Sequence, residues 1–225
     1  ATGDVNGDGK VDLVVGNSGN NTVSVLLNTT PSGATTPSFA PYISFPVGGY
    51  ATSIALGDLN GDGKVDLAVA NGSIGTVSTL LNTTVPGASP SFTSPVSFAT
   101  GADTVSVAVG DFNGDGKRDV VAASISTSTV AVLLNTMAVG AVIPSFSAST
   151  EFRVTFNPLS MTLGDINGDG KLDVVTLSPA VASGVQILLN TTAPGATTPT
   201  AIWGGRFDLT SDPISVVFGD RNGDG

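Results

Sequence analysis

The chain has no cysteine and no histidine. That removes disulfide cross-links, thiolate and imidazole metal ligands, and any nucleophile that depends on a histidine base. Charge is scarce as well: 12% of the 225 residues are Asp, Glu, Lys or Arg, about half the usual share. Only 8 residues are basic against 18 acidic, giving a net charge of −10. So acidic a chain offers no basic surface for phosphates, which makes nucleic acid and anionic membranes poor partners. Apolar runs such as Leu67-Ala68-Val69-Ala70 fall far short of the ~20 residues that a membrane-crossing helix requires. Ala1-Thr2-Gly3-Asp4 carries no leader pattern, so any secretion signal is expected to be removed or to lie upstream. Metal chemistry, if present, must use oxygen ligands.

What the chain does have is a period. The nonapeptide Asp4–Asp12 (DVNGDGKVD) returns at Asp58–Asp66, Asp111–Asp119 and Asp165–Asp173, and begins again at Asp220–Gly225. Leu-Leu-Asn keeps the same phase at 26–28, 80–82, 133–135 and 188–190, and Pro-Ser-Phe at 37–39, 90–92 and 144–146. The chain therefore reads as a single tandem-repeat domain over 1–225. Its four units of about 54 residues are 4–57, 58–110, 111–164 and 165–219, followed by a truncated fifth motif at 220–225.

Within a unit, small polar and large apolar residues alternate before the nonapeptide, as in Ser53-Ile54-Ala55-Leu56 and Ser106-Val107-Ala108-Val109; a period of two indicates strand. Apolar, β-branched runs follow (Val65 to Ala70, then Thr76 to Leu81), with a weaker fourth run around Phe92 to Phe98. No segment has a helical stripe, and the abundant Gly, Thr, Val and Ser disfavour helix. The expected fold is all-β: tandem four-stranded antiparallel blades of β-propeller type, with one acidic loop per blade. A further strand is expected over Pro213 to Gly219.

The nonapeptide alternates oxygen ligands with small residues. Positions 1, 3, 5 and 9 can converge on one hard cation, with the position-7 carbonyl as a fifth ligand. The candidate ligands are Asp4, Asn6, Asp8, Lys10 (carbonyl) and Asp12; Asp58, Asn60, Asp62, Lys64 (carbonyl) and Asp66; Asp111, Asn113, Asp115, Lys117 (carbonyl) and Asp119; and Asp165, Asn167, Asp169, Lys171 (carbonyl) and Asp173. Asp220, Asn222 and Asp224 begin a fifth set, to be completed by another segment or subunit. These motifs hold 14 of the 18 acidic residues, so four Ca²⁺ would bring the formal charge from −10 to −2. Calcium is expected over Mg²⁺, which wants a strict octahedron and retains water. An EF-hand would need Glu at position 12; Val15, Val69, Ala122 and Thr176 stand there instead. A metal-free, hydrogen-bonded Asx turn is the plain alternative.

The motif, with its preceding Gly-Asp (Gly57-Asp58, Gly110-Asp111, Gly164-Asp165), resembles the FG-GAP and VCBS repeats of integrin-α-like β-propellers. The resemblance spans nearly the whole chain and implies a calcium loop between the first two strands of each blade. Such propellers commonly have seven blades, so four units leave three arrangements: a fragment of a longer series, a subunit that completes its neighbour's blade to build a filament, or a small closed ring.

Catalytic residues are not expected. Glu151 is the only Glu, most Asp residues belong to the motifs, and Ser lacks a His partner. Trp203, the only Trp, is expected to be a packing residue rather than one of a set of sugar-binding platforms. Sequons stand at Asn20, Asn28, Asn71, Asn82 and Asn190 as candidate glycan sites. Loops of modest calcium affinity fill at extracellular concentrations, so a secreted or cell-surface location is expected. The functional expectation is a calcium-stabilised structural or adhesive module, with self-assembly or a cell-surface protein or glycan as partner. The alternatives are a propeller lectin and the non-catalytic propeller of a larger secreted enzyme.

Overall fold

The computed structural model describes residues 1–179 and 183–219. Sixteen strands form four separate antiparallel sheets of four, each a simple meander. Blade 1 consists of β1 (Thr2–Gly3), β2 (Asp12–Asn17), β3 (Thr22–Leu26) and β4 (Ile43–Pro46). Blade 2 consists of β5 (Ala51–Gly57), β6 (Asp66–Asn71), β7 (Thr76–Leu80) and β8 (Val96–Ala99). Blade 3 consists of β9 (Thr104–Gly110), β10 (Asp119–Ser124), β11 (Thr129–Leu133) and β12 (Thr150–Arg153). Blade 4 consists of β13 (Ser160–Gly164), β14 (Asp173–Ser178), β15 (Gly184–Asn190) and β16 (Ala201–Asp208). Two three-residue 3₁₀ turns, Ser18–Asn20 and Gly72–Ile74, are the only helical turns among the described residues.

The nonapeptide connects the first and second strands of every blade. Register places Gly57 opposite Asp66, Gly110 opposite Asp119 and Gly164 opposite Asp173, so each loop begins and ends on a paired residue.

The middle strands of blades 2 and 3 are apolar on both faces because these two blades are covered on both sides; all six residues of β6 and of β10 are buried. Three shared cores hold the array. Val14, Val23 and Val25 of blade 1 meet Leu67, Val69 and Leu80 of blade 2. Ala68 and Val77 meet Val107 and Val120 between blades 2 and 3, and Val121 and Val132 meet Met161 and Val174 between blades 3 and 4. These cores join consecutive blades, and none joins blade 4 to blade 1. Such a stack is stabilised mainly through nearest-neighbour interfaces.

The glycine before each acidic loop marks the closest approach of successive blades. A Cβ on Gly57 would lie 2.8 Å from Val109 Cγ1, and one on Gly110 would lie 3.2 Å from Leu163 Cδ1 and 2.5 Å from Leu172 Cδ1. Gly-Asp therefore reports blade spacing as well as loop chemistry. Gly164 faces Phe218 in the same manner, at 2.5 Å from a built Cβ.

Two expectations need correction. Pro213 to Gly219 forms no strand and is largely exposed. In the other blades this segment pairs with the strand after its nonapeptide, and here that nonapeptide lies outside the described residues. Trp203 is 48% exposed on the outer strand β16, so it is half covered rather than enclosed.

Candidate metal centre

Each loop is built by its own hydrogen bonds. In blade 1, Asp8 N and Gly9 N donate to the Asp4 carboxylate at 3.1 and 2.8 Å, Asp8 N also donates to Asn6 Oδ1 at 3.2 Å, and Lys10 N donates to Asp8 Oδ1 at 2.9 Å. Blade 2 repeats this with Asp58, Asn60 and Asp62, blade 3 with Asp111, Asn113 and Asp115, and blade 4 with Asp165, Asn167 and Asp169. Position 6 needs a left-handed backbone, with φ of 82–86° at Gly9, Gly63, Gly116 and Gly170; glycine adopts it without a Cβ clash.

Position 9 is set apart. Asp12, Asp66, Asp119 and Asp173 are fully buried, and each accepts the same two backbone N–H groups, with Asn113 N a third donor to Asp119 at 3.3 Å. One donor comes from position 2 of the same loop (Val5, Leu59, Phe112 or Ile166, at 2.8–2.9 Å). The other is the Asn of Leu-Leu-Asn (Asn28, Asn82, Asn135 or Asn190, at 2.7–2.8 Å). This carboxylate ties the loop to the third strand, a structural duty that the ligand pattern does not reveal.

Among the described residues no three acidic side chains are gathered at metal-binding distance. The loop surface instead offers the position-1 and position-5 carboxylates, the position-3 amide oxygen and the position-7 carbonyl. A carboxylate oxygen that accepts one hydrogen bond keeps lone-pair capacity. None of these carboxylates is neutralised by the protein, since Arg206–Asp208 is the only ion pair among the described residues. An all-oxygen, uncompensated anionic donor set fits a hard divalent cation. Asp220, Asn222 and Asp224 lie outside the described residues.

Burial, opposed by the amides of Asn82 and Leu59 and reinforced by Asp62 and Asp58, pushes the Asp66 carboxyl from 3.8 up to about 6. Burial does the same to Asp119, against the amides of Asn135, Phe112 and Asn113, with Asp115 adding to the rise. In contrast, the amide of Gly170, helped by those of Gly168, Asp169 and Asn167, holds Asp165 below its ordinary value. A raised pKa in the folded state means that the contribution to stability is full below about 4 and is lost as pH rises through about 6. Calcium-stripped protein should therefore melt lower at pH 7 than at pH 4.5 by scanning calorimetry. A melting temperature that climbs steadily across this interval would refute the assignment.

Sequence reasoning missed a second set of residues at the site. The Asn of each Leu-Leu-Asn in blades 2–4 also reaches the loop of the preceding blade: Asn82 Nδ2 donates to Val5 O at 2.8 Å, Asn135 to Leu59 O at 2.7 Å, and Asn190 to Phe112 O at 2.7 Å. Its signal was the fixed phase of Leu-Leu-Asn, which locates the residue without disclosing its partner.

Stacked four-stranded meanders, each with an acidic loop between its first two strands, define a blade-repeat protein of propeller type. The sequence profile of the FG-GAP-like repeat matches residues 4–69, 58–122, 111–176 and 165–225. The chain belongs to this FG-GAP-like repeat family. No curated protein matches it.

Proposed function

We propose that the chain is a calcium-stabilised, extracellular structural or adhesive repeat module, without catalytic activity of its own. The observation that carries this reading is the fourfold recurrence of a loop whose position-1 and position-5 carboxylates and position-3 amide oxygen have no protein cation to balance them. Calcium at each loop would compensate the charge where successive blades meet. No helix among the described residues is long and apolar enough to cross a membrane. Millimolar extracellular calcium is the condition under which loops of modest affinity stay filled.

Self-association is the finer part of the reading. Val15 is 46% exposed on the outer face of blade 1, whereas its counterpart Val69 in blade 2 is fully covered by blade 1. Ile166 of blade 4 is 36% exposed, whereas Leu59 and Phe112 at the same loop position are 2% exposed. A blade from a second copy suits both bare faces, which supports head-to-tail assembly. Glycan attachment has less room than the sequons suggest: Asn71, Asn82 and Asn190 are buried, and their side-chain amides are already donors.

Titration calorimetry tests the metal. About one Ca²⁺ per complete loop should bind, with Mg²⁺ much weaker, and a chain that takes up no calcium at millimolar concentration defeats the proposal. Sedimentation velocity on the same sample tests assembly, where a strict monomer at high concentration would remove the head-to-tail part.

A further inference from the structure

Every loop in blades 1–3 is gripped by the blade that follows it. Beyond the Leu-Leu-Asn contact, a glycine in the next blade's long loop donates its N–H to the position-3 carbonyl: Gly87 to Asn6 O at 2.8 Å, Gly140 to Asn60 O at 2.7 Å and Gly195 to Asn113 O at 2.7 Å. These glycines have φ of 70–73°, a left-handed turn that presents the N–H toward the loop.

The position-3 side chain answers in blades 2 and 3. Asn60 Nδ2 donates to Ala141 O at 2.9 Å and Asn113 Nδ2 to Ala196 O at 3.0 Å, while each Oδ1 stays on its own loop, receiving the position-5 N–H. Asn60 and Asn113 are 6% and 5% exposed. Asn6 is equally buried, but its Nδ2 turns to Asp8 Oδ2 at 3.2 Å. Asn167 of blade 4 is exposed, and no described residue makes the corresponding contacts to its loop.

Resting on the calcium reading above, we propose that Asn60 and Asn113 are coupling residues. One end of each amide serves the ion of its own loop and the other clamps the next blade, so that metal affinity and blade docking reinforce each other in one direction along the chain. Coupling of this kind is reciprocal. Asparagine is required because a carboxylate at this position has an acceptor where Ala141 O needs a donor. An Asp there would add ligand charge to the loop and break the clamp in the same stroke.

Comparing N60D with N167D in the 225-residue chain tests this. With calcium stripped, N60D should melt about 3–10 °C lower than the unmodified chain, from a lost hydrogen bond and an unsatisfied buried acceptor. N167D should shift by no more than about 1 °C, because its side chain clamps nothing. With calcium, N167D should bind severalfold more tightly at its loop through the added charge, and N60D should show no such gain. N113D should follow N60D. Equal melting shifts and equal affinity gains in N60D and N167D would overturn the coupling while leaving calcium binding intact. An unmodified chain that binds no calcium would remove the metal reading and the coupling with it, an outcome that calorimetry distinguishes from the first.

Discussion

On the calcium reading proposed above, excess EGTA should lower the melting temperature of protein held in millimolar calcium by roughly 10–20 °C. A site filled at ten times its Kd contributes about 1.4 kcal/mol, so four loops together contribute about 6 kcal/mol. In a chain of this size each kcal/mol moves the midpoint by about 2–4 °C. The shift should shrink smoothly as free calcium is lowered, since it follows mass action. Differential scanning calorimetry at stepped free calcium checks this, and superimposable curves with and without chelator would leave the loops as hydrogen-bonded turns alone.

Substituting the buried position-9 aspartate produces the second large effect, of a different kind. Asp66→Ala strips the acceptor from Leu59 N and Asn82 N, both buried. Each stranded N–H costs about 1–3 kcal/mol, so the midpoint should fall by about 5–15 °C. This loss should persist in EGTA, because it comes from the protein's own hydrogen bonds. Asp62→Ala provides the contrast: its carboxylate is on the loop surface and accepts Lys64 N, so that variant should lose stability mainly in the presence of calcium. Urea denaturation of both variants, with and without calcium, separates the two roles of the motif's acidic residues. Equal calcium dependence in the two would show that position 9 acts chiefly as a ligand.

The fold was largely legible because its repeat is short and its strands alternate in plain view. Ser53-Ile54-Ala55-Leu56 alternates and lies in β5, and the run from Val65 to Ala70 coincides with β6 to within a residue at each end. The family and the one-loop-per-blade arrangement followed from the nonapeptide itself. What stayed hidden involves partners remote in sequence. Asn82 meets Val5 across 77 residues, and Asn60 meets Ala141 across 81; local patterning carries no trace of such pairs. The absent strand at Pro213 to Gly219 shows the same limit from the other side. Its alternation is correct, but a strand exists only where a neighbour supplies the other half of the ladder.

The glycine that precedes each acidic loop bears on how such proteins lengthen. Gly57 receives Val109, and Gly110 receives Leu163, so a socket and the knob that fills it recur one period apart. Duplicating a whole period generates another matched joint without inventing any new contact surface. Growth by whole-unit duplication is thus built into the spacing of one small residue.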